Sequence, residues 1–170
     1  MKTTHTTALA VIAMAWVALS SAASAQQTRQ INEFRDWTVY HHGAGAPEMC
    51  FAASQPKETS PRDVARGQSF FYVTSWPQDG VKAEVSMKLG FTVSAGTDVE
   101  VQIGNARFQL FGDGDSAFVK DVREELRLIE AMKRGSFMVV IARNERGTEV
   151  RDTYSLLGVT QAINAIQPCS

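Results

Sequence analysis

Beyond residue 25 the chain alternates apolar and polar positions in short runs bounded by turn formers, the pattern of a mainly β protein. Residues 83–89 (AEVSMKL) put Ala83, Val85, Met87 and Leu89 on one face and Glu84, Ser86 and Lys88 on the other. That period of two predicts a strand with one face on a core and one in water. Residues 34–40 (FRDWTVY), 49–54 (MCFAAS) and 69–75 (SFFYVTS) predict further strands, rich in aromatic and β-branched residues. A Gly-rich connection is expected over 41–47, and Trp76-Pro77 ends the third of these strands. Residues 55–67 (QPKETSPRDVARG), with two prolines and many charges, predict an exposed loop.

The most specific local pattern is a hairpin over 99–111. Gly104-Asn105 supplies a two-residue turn with glycine at its first central position, as a type II′ turn requires. That register opposes Ile103 to Ala106, Val101 to Phe108 and Val99 to Leu110, and sets Gln102 against Arg107 and Glu100 against Gln109. Residues 137–142 (FMVVIA) form an apolar run that predicts a buried strand, and 148–155 return after a tight turn ending in Gly147.

Two helices interrupt the strands. Val122, Leu126, Ile129 and Met132 fall at helical spacing over 122–134, with Asp121 and Glu124 resembling a capping box and Gly135 placed as the C′ residue. Glu130 and Arg134 are expected to pair on its polar face. A short terminal helix carries Val159, Ile163 and Ile166 on one side and ends near Pro168, docked on the domain. About eight to nine strands with short antiparallel connections predict an immunoglobulin-like β-sandwich with one inserted and one C-terminal helix.

The first 25 residues have a different character. Lys2 precedes an apolar run of about 12 residues, well short of the roughly 20 that span a bilayer, and small residues follow, ending Ala23-Ser24-Ala25. This is the order of a secretory signal peptide, with cleavage expected between Ala25 and Gln26 and one domain over residues 26–170. The competing reading is a single membrane anchor; no later segment is apolar enough to span.

Export changes the reading of the cysteines. Both Cys50 and Cys169 lie in the exported part, where one intramolecular bridge is the simplest outcome. Two buried free thiols, or an intermolecular bridge from Cys169, are the alternatives. A bridge would close a loop of more than about 100 residues, worth about 4 to 5 kcal/mol in the chain-entropy account.

Charge narrows the partners. Of 17 Lys+Arg and 18 Asp+Glu, the leader removes only Lys2, so the exported part carries a slight acidic excess and its cations are scattered. No basic stripe is available to neutralise phosphates, which argues against nucleic acid.

Several groupings carry the residue types of chemistry. His41, His42, Glu48 and Cys50 are metal-ligand types, but their spacing matches no zinc pattern. Asp113-Gly-Asp115-Ser116 looks like a fragment of a calcium loop without its later ligands. Asp36, His41 and the serines have triad composition without a nucleophile elbow. Asp152, in Asp152-Thr153-Tyr154-Ser155, shares a face with Val150 and Tyr154. A carboxylate turned to the core needs donors, for which the start of the last helix is the expected source. Trp37, Phe70, Phe71, Tyr72 and Trp76 are mostly core by spacing; Tyr72 and Trp76, if both outside, would make a partner patch. No cofactor, metal or catalytic residue is expected.

The chain also resembles the invasion-associated locus B family of exported bacterial proteins. The resemblance is carried by FRDWTVY, CFAASQPKE, FFYVTSWP, EVSMKLGF, FQLFGDGDSAF, LIEAMKRGSFMVV and RGTEVRDTYSLLGVTQAINAI, with AMKRG and RGT followed by DTYSLLG the most specific. It implies a periplasmic or envelope-associated protein with an immunoglobulin-like sandwich, named for members linked to host-cell invasion, and it brings no catalytic residues. Some relatives place a cysteine just after the DW pair, where this chain has Tyr40-His41-His42. That departure favours pairing of Cys50 with Cys169. The resulting expectation is a non-catalytic envelope protein acting through an envelope or host-surface protein; the alternatives are a small-molecule or metal-binding module, with its pocket between loops at one end of the sandwich, and a hydrolase.

Overall fold

The computed structural model describes residues 27–43 and 48–167. The expected leader, its expected cleavage site at Ala25 and Gln26, and Cys169 lie outside these residues. The elements are β1 (Thr28–Phe34), β2 (Trp37–His42), β3 (Met49–Ser54), β4 (Glu58–Ser60), β5 (Phe70–Trp76), β6 (Val81–Lys88), β7 (Asp98–Ile103), β8 (Ala106–Asp113), β9 (Ser116–Phe118), α1 (Val122–Arg134), β10 (Phe137–Arg143), β11 (Glu149–Ser155) and α2 (Val159–Ile166). Every strand pair is antiparallel, and the order across the sheet is β1-β2-β3-β5-β6-β9-β8-β7-β10-β11-β4.

Alternation makes one face of this sheet apolar, and burying it requires the sheet to fold over on itself. Inward residues of β2 and β5 therefore share one core with those of β7, β10 and β11, closed by α1 and α2. Trp37 packs edge-on to Phe71 with centroids 6.3 Å apart, and Phe71 packs on Tyr154 at 5.9 Å. The Trp37 indole N–H donates to the Ser155 carbonyl at 3.0 Å, tying β2 to β11.

The hairpin of β7 and β8 has the expected register, with Ile103, Val101 and Val99 opposite Ala106, Phe108 and Leu110. Gly104 takes φ +56° while Asn105 keeps negative φ, the combination a type II′ turn needs. Val159, Ile163 and Ile166 are buried on one side of α2 as expected.

Other expectations need correction. Residues 34–40 are not one strand: Phe34 ends β1, Arg35-Asp36 form a turn, and β2 runs from Trp37 through His42. Arg35 takes φ +58°, unusual for a side-chain-bearing residue. The turn is gripped by the start of α2. A Cβ at Gly158, where φ is +93°, would lie 1.8 Å from the Phe34 carbonyl oxygen, and Asp36 N–H donates to Leu157 O. The stretch 55–67 is not wholly an exposed loop, because Glu58–Ser60 pair with β11. β9, which adds to β6 and β8, was also not expected.

Helix α1 has the expected limits, with Asp121 accepting from Arg123 N–H and Glu124 N–H. Its buried face is rotated from the expected one: Leu128, Ile129 and Met132 are buried, whereas Val122 and Leu126 are 70% and 57% exposed. The reason is a backbone donor. β9 pairs only with residues 86–88 of β6, and the Val85 N–H just beyond donates to Glu125 at 2.6 Å, so Glu125 must face the sheet. Gly135 has φ −84° and is not a left-handed cap; a Cβ there would sit 2.7 Å from Ile103 and 2.8 Å from Leu156. Glu130 pairs with Lys133 at 2.9 Å, not with Arg134. No helix among the described residues is long and apolar enough to cross a membrane.

Candidate functional site

The charged loop predicted by sequence folds back as a strap over β11. β4 sets Thr59 opposite Asp152, and the chain then turns so that Arg66 passes beneath the surface before β5 begins. Asp152 is 2% exposed and faces the core between Val150 and Tyr154, as its alternation requires. Its donors differ from those expected. They do not come from α2: Thr59 Oγ1 donates at 2.7 Å and Arg66 Nη1 at 2.8 Å, with Ser69 Oγ 3.4 Å away. Both carboxylate oxygens lie 2.8 Å from Arg66 Nη1.

Ser69 and Tyr154 extend this network. Ser69 Oγ donates to the Lys88 carbonyl at 2.9 Å, so its 2.8 Å contact with Tyr154 OH is one in which tyrosine donates. Burial pushes the Tyr154 phenol well above its ordinary range, aided by the nearby Asp152 charge, which keeps the donating proton in place. Arg66 also lies over the Phe91 ring, 5.4 Å from its centroid. Two depressions flank the strap. One of about 310 Å³ is bordered by Thr59, Arg62, Arg66 and Ser69; one of about 410 Å³ is bordered by Asp63, Phe91, Asn144, Glu145 and Arg146.

A second feature lies on the outer face of the sheet. Register places Tyr40 beside Phe51, Phe51 beside Thr74, Tyr72 beside Ser86, Ser86 beside Phe118, and Phe118 beside Phe111. Tyr40 stacks on Phe51 at 4.9 Å, Phe51 meets Tyr72 edge-on at 5.9 Å, and Phe70 stacks on Tyr72 at 5.8 Å. Phe111 and Phe118 are 43% and 39% exposed, and Lys120 caps Phe111 at 4.3 Å from its centroid. Tyr72 and Trp76 lie on this face, both half-buried, while Trp37 and Phe71 belong to the core. The strip is broader than the pair expected. Its legible trace was β5, aromatic at both parities; Phe51 and Phe118 each stood alone in their strands, and Phe111 shares β8 with the buried Phe108.

The remaining sequence candidates separate. His41 and Cys50 are cross-strand partners on β2 and β3, and His42 Nδ1 lies 2.8 Å from Thr28 Oγ1. Among the described residues no group of three or more His, Cys, Asp or Glu is placed to hold a metal ion. Asp113 and Ser116 face each other across the turn from β8 to β9, and Asp115 is held by Lys88 at 3.0 Å, which lowers its pKa. Asp36 is engaged by Lys57 and by Ser155, which hold its carboxyl below the ordinary range. Cys50 is completely buried, and no cysteine among the described residues is free.

Comparison with known proteins adds a family and a fold. Residues 37–167 match the family model described as Invasion associated locus B (IalB) protein. Among solved structures, the crystal structure of invasion associated protein b from Bartonella henselae is similar, with a TM-score of 0.56 and 18% sequence identity, covering 82% of this chain and 95% of that one. No curated protein matches.

Proposed function

The chain belongs to the invasion associated locus B family, and from that premise we propose that it is an exported, periplasmic or envelope-associated protein that acts without catalysis, by contact with an envelope or host-surface protein. The observation that carries this reading is the outer aromatic strip of Tyr40, Phe51, Phe70, Tyr72, Phe111 and Phe118. Rings at an exposed sheet face supply large contact area at low conformational cost, and such patches are the usual anchors of protein interfaces. Lys120 over Phe111, Lys88 opposite Phe70 and Asp98 opposite Phe111 supply charged neighbours of the kind found at the polar rim of interfaces.

The reading includes removal of residues 1–25 and closure of a bridge from Cys50 to Cys169. It is tested with the full-length chain produced in its own cell. The exported form begins at Gln26, is found in the envelope fraction, and yields one defined crosslinked species from a photoreactive residue at position 72 but not from one at position 123. A cytoplasmic, untrimmed chain, or equal crosslinking from both positions, overturns it.

The strap favours a second reading, in which the module holds a small ligand between loops at one end of the sandwich. Two depressions meet at this segment, above a buried charged pair.

A further inference from the structure

We propose that the depression of about 310 Å³ beside the strap binds the oxyanion of a ligand, a carboxylate or phosphate group, with Arg62 and Arg66 as its donors. This deepens the small-ligand reading and is independent of the aromatic strip.

Arg66 provides the first observation. Its side chain is only 10% exposed, and its Nη1 is committed to Asp152. Its Nη2 is buried and has no hydrogen-bond partner among the described residues. A buried guanidinium nitrogen without an acceptor is costly, whereas a fork with one free prong suits an oxyanion. Arg66 borders the depression, and a shift of its side chain is needed to bring the Nη2, which is closed to solvent, to an acceptor bound there.

The rest of the wall has matching chemistry. Gln55 and Arg62 supply polar groups, the hydroxyls of Thr59 and Ser69 being already committed to Asp152 and the Lys88 carbonyl, and no acidic side chain borders the site. Asp152 lies behind it with its charge offset by Arg66 and a further donor in Thr59. Arg62 is exposed and makes no ion pair among the described residues, so it brings the uncompensated positive charge. The neighbouring depression has both signs on its wall, with Asp63 and Glu145 against Arg146, and lacks this preference. The space is at the small end of known ligand pockets, enough for a phosphate or carboxylate head and a short attached group.

The test is a titration of the mature protein with inorganic phosphate, and separately with acetate, at fixed ionic strength, followed by amide NMR. Saturable shifts at Gly67 and Ser69 are expected with at least one anion. Phosphate alone, or acetate alone, identifies the source of the oxyanion. Arg62→Ala, at an exposed position that leaves the fold intact, is expected to weaken binding about tenfold, the loss of one charge-assisted contact. Arg146→Ala in the neighbouring depression should leave binding unchanged. Linear, unsaturated responses to both anions, or the same affinity in Arg62→Ala as in the parent, overturn the proposal. Crosslinking at position 72 is unaffected by either result, so the two readings fail separately.

Discussion

Arg66 and Asp152, 86 residues apart in the chain, meet at 2.8 Å with both side chains at least nine-tenths buried. A charge pair in that position is held by geometry and by the added Thr59 donor, because the desolvation of each ion is large. It is also the only charged clasp described between the strap and β11, so the strap's position depends on it.

Removing one partner strands the other. Asp152→Ala leaves the Arg66 charge buried beside Phe91 and is expected to cost about 3–5 kcal/mol. The double variant Arg66→Met with Asp152→Leu should recover most of that loss. Urea unfolding of the parent, both single variants and the double variant measures the four corners; a double variant as unstable as Asp152→Ala would show that the pair is not the source of the cost.

Gly158 should tolerate no side chain. Its φ of +93° and the 1.8 Å approach of a Cβ to the Phe34 carbonyl mean that Gly158→Ala must displace either the β1–β2 turn or the start of α2. A loss of more than about 3 kcal/mol is expected by chemical denaturation. Gly104→Ala, where a Cβ meets nothing within 4 Å, should cost distinctly less.

The outer strip separates stability from binding. A cross-strand ring pair contributes about 0.2–1 kcal/mol, so Tyr72→Ser, which loses its cross-strand contact with Phe51 and the stacking of Phe70 on its own strand, is expected to lower stability by no more than about 2 kcal/mol. The same substitution should abolish the defined crosslinked species. Thermal unfolding and crosslinking of one preparation check both halves.

Glu125 gives a pH dependence of known sign. Burial raises its pKa, with Glu84 adding to the effect, although the Val85 N–H opposes it. The folded state therefore keeps this proton to higher pH than the unfolded state, so stability falls as pH rises through the carboxylate range. Glu125→Gln, which can still accept from Val85 N–H, is expected to raise Tm at neutral pH by a few degrees at most, and the gain should vanish in acid. An equal gain at every pH would contradict this account.

The proposed bridge has a simple readout. Denatured, unreduced mature protein should expose no free thiol, and Cys50→Ser with Cys169→Ser should lower stability by about 2–4 kcal/mol. Two titratable thiols per chain would exclude the bridge.

Much of this architecture was legible because it is set locally. Residues 83–89 alternate cleanly and became β6 with Val85 and Met87 buried; Gly104-Asn105 dictated a turn, and the turn dictated the pairing of Val99 with Leu110. Asp121 and the spacing behind it set both ends of α1. Alternation also placed Asp152 inward beside Tyr154.

What failed was whatever depended on a distant neighbour. Arg35 carries no turn signal, and its positive φ follows from the packing of Phe34 against Gly158. The rotation of α1 goes with the Val85 N–H on β6, beyond the stretch paired with β9, which donates to Glu125. Arg66 reads as one more charge in a polar loop, and nothing near it in the chain announces Asp152.

By itself the amino-acid order determined the mainly β character, the one long helix and its limits, the register of the β7–β8 hairpin and the inward turn of Asp152, because each rests on periodicities and backbone preferences within a few residues. The folding of the sheet over itself decided the rest: which donors reach Asp152, which face of α1 is buried, and that rings from five separate strands line one outer surface. Those outcomes depend on contacts between segments tens of residues apart, and a one-dimensional pattern carries no distance between them.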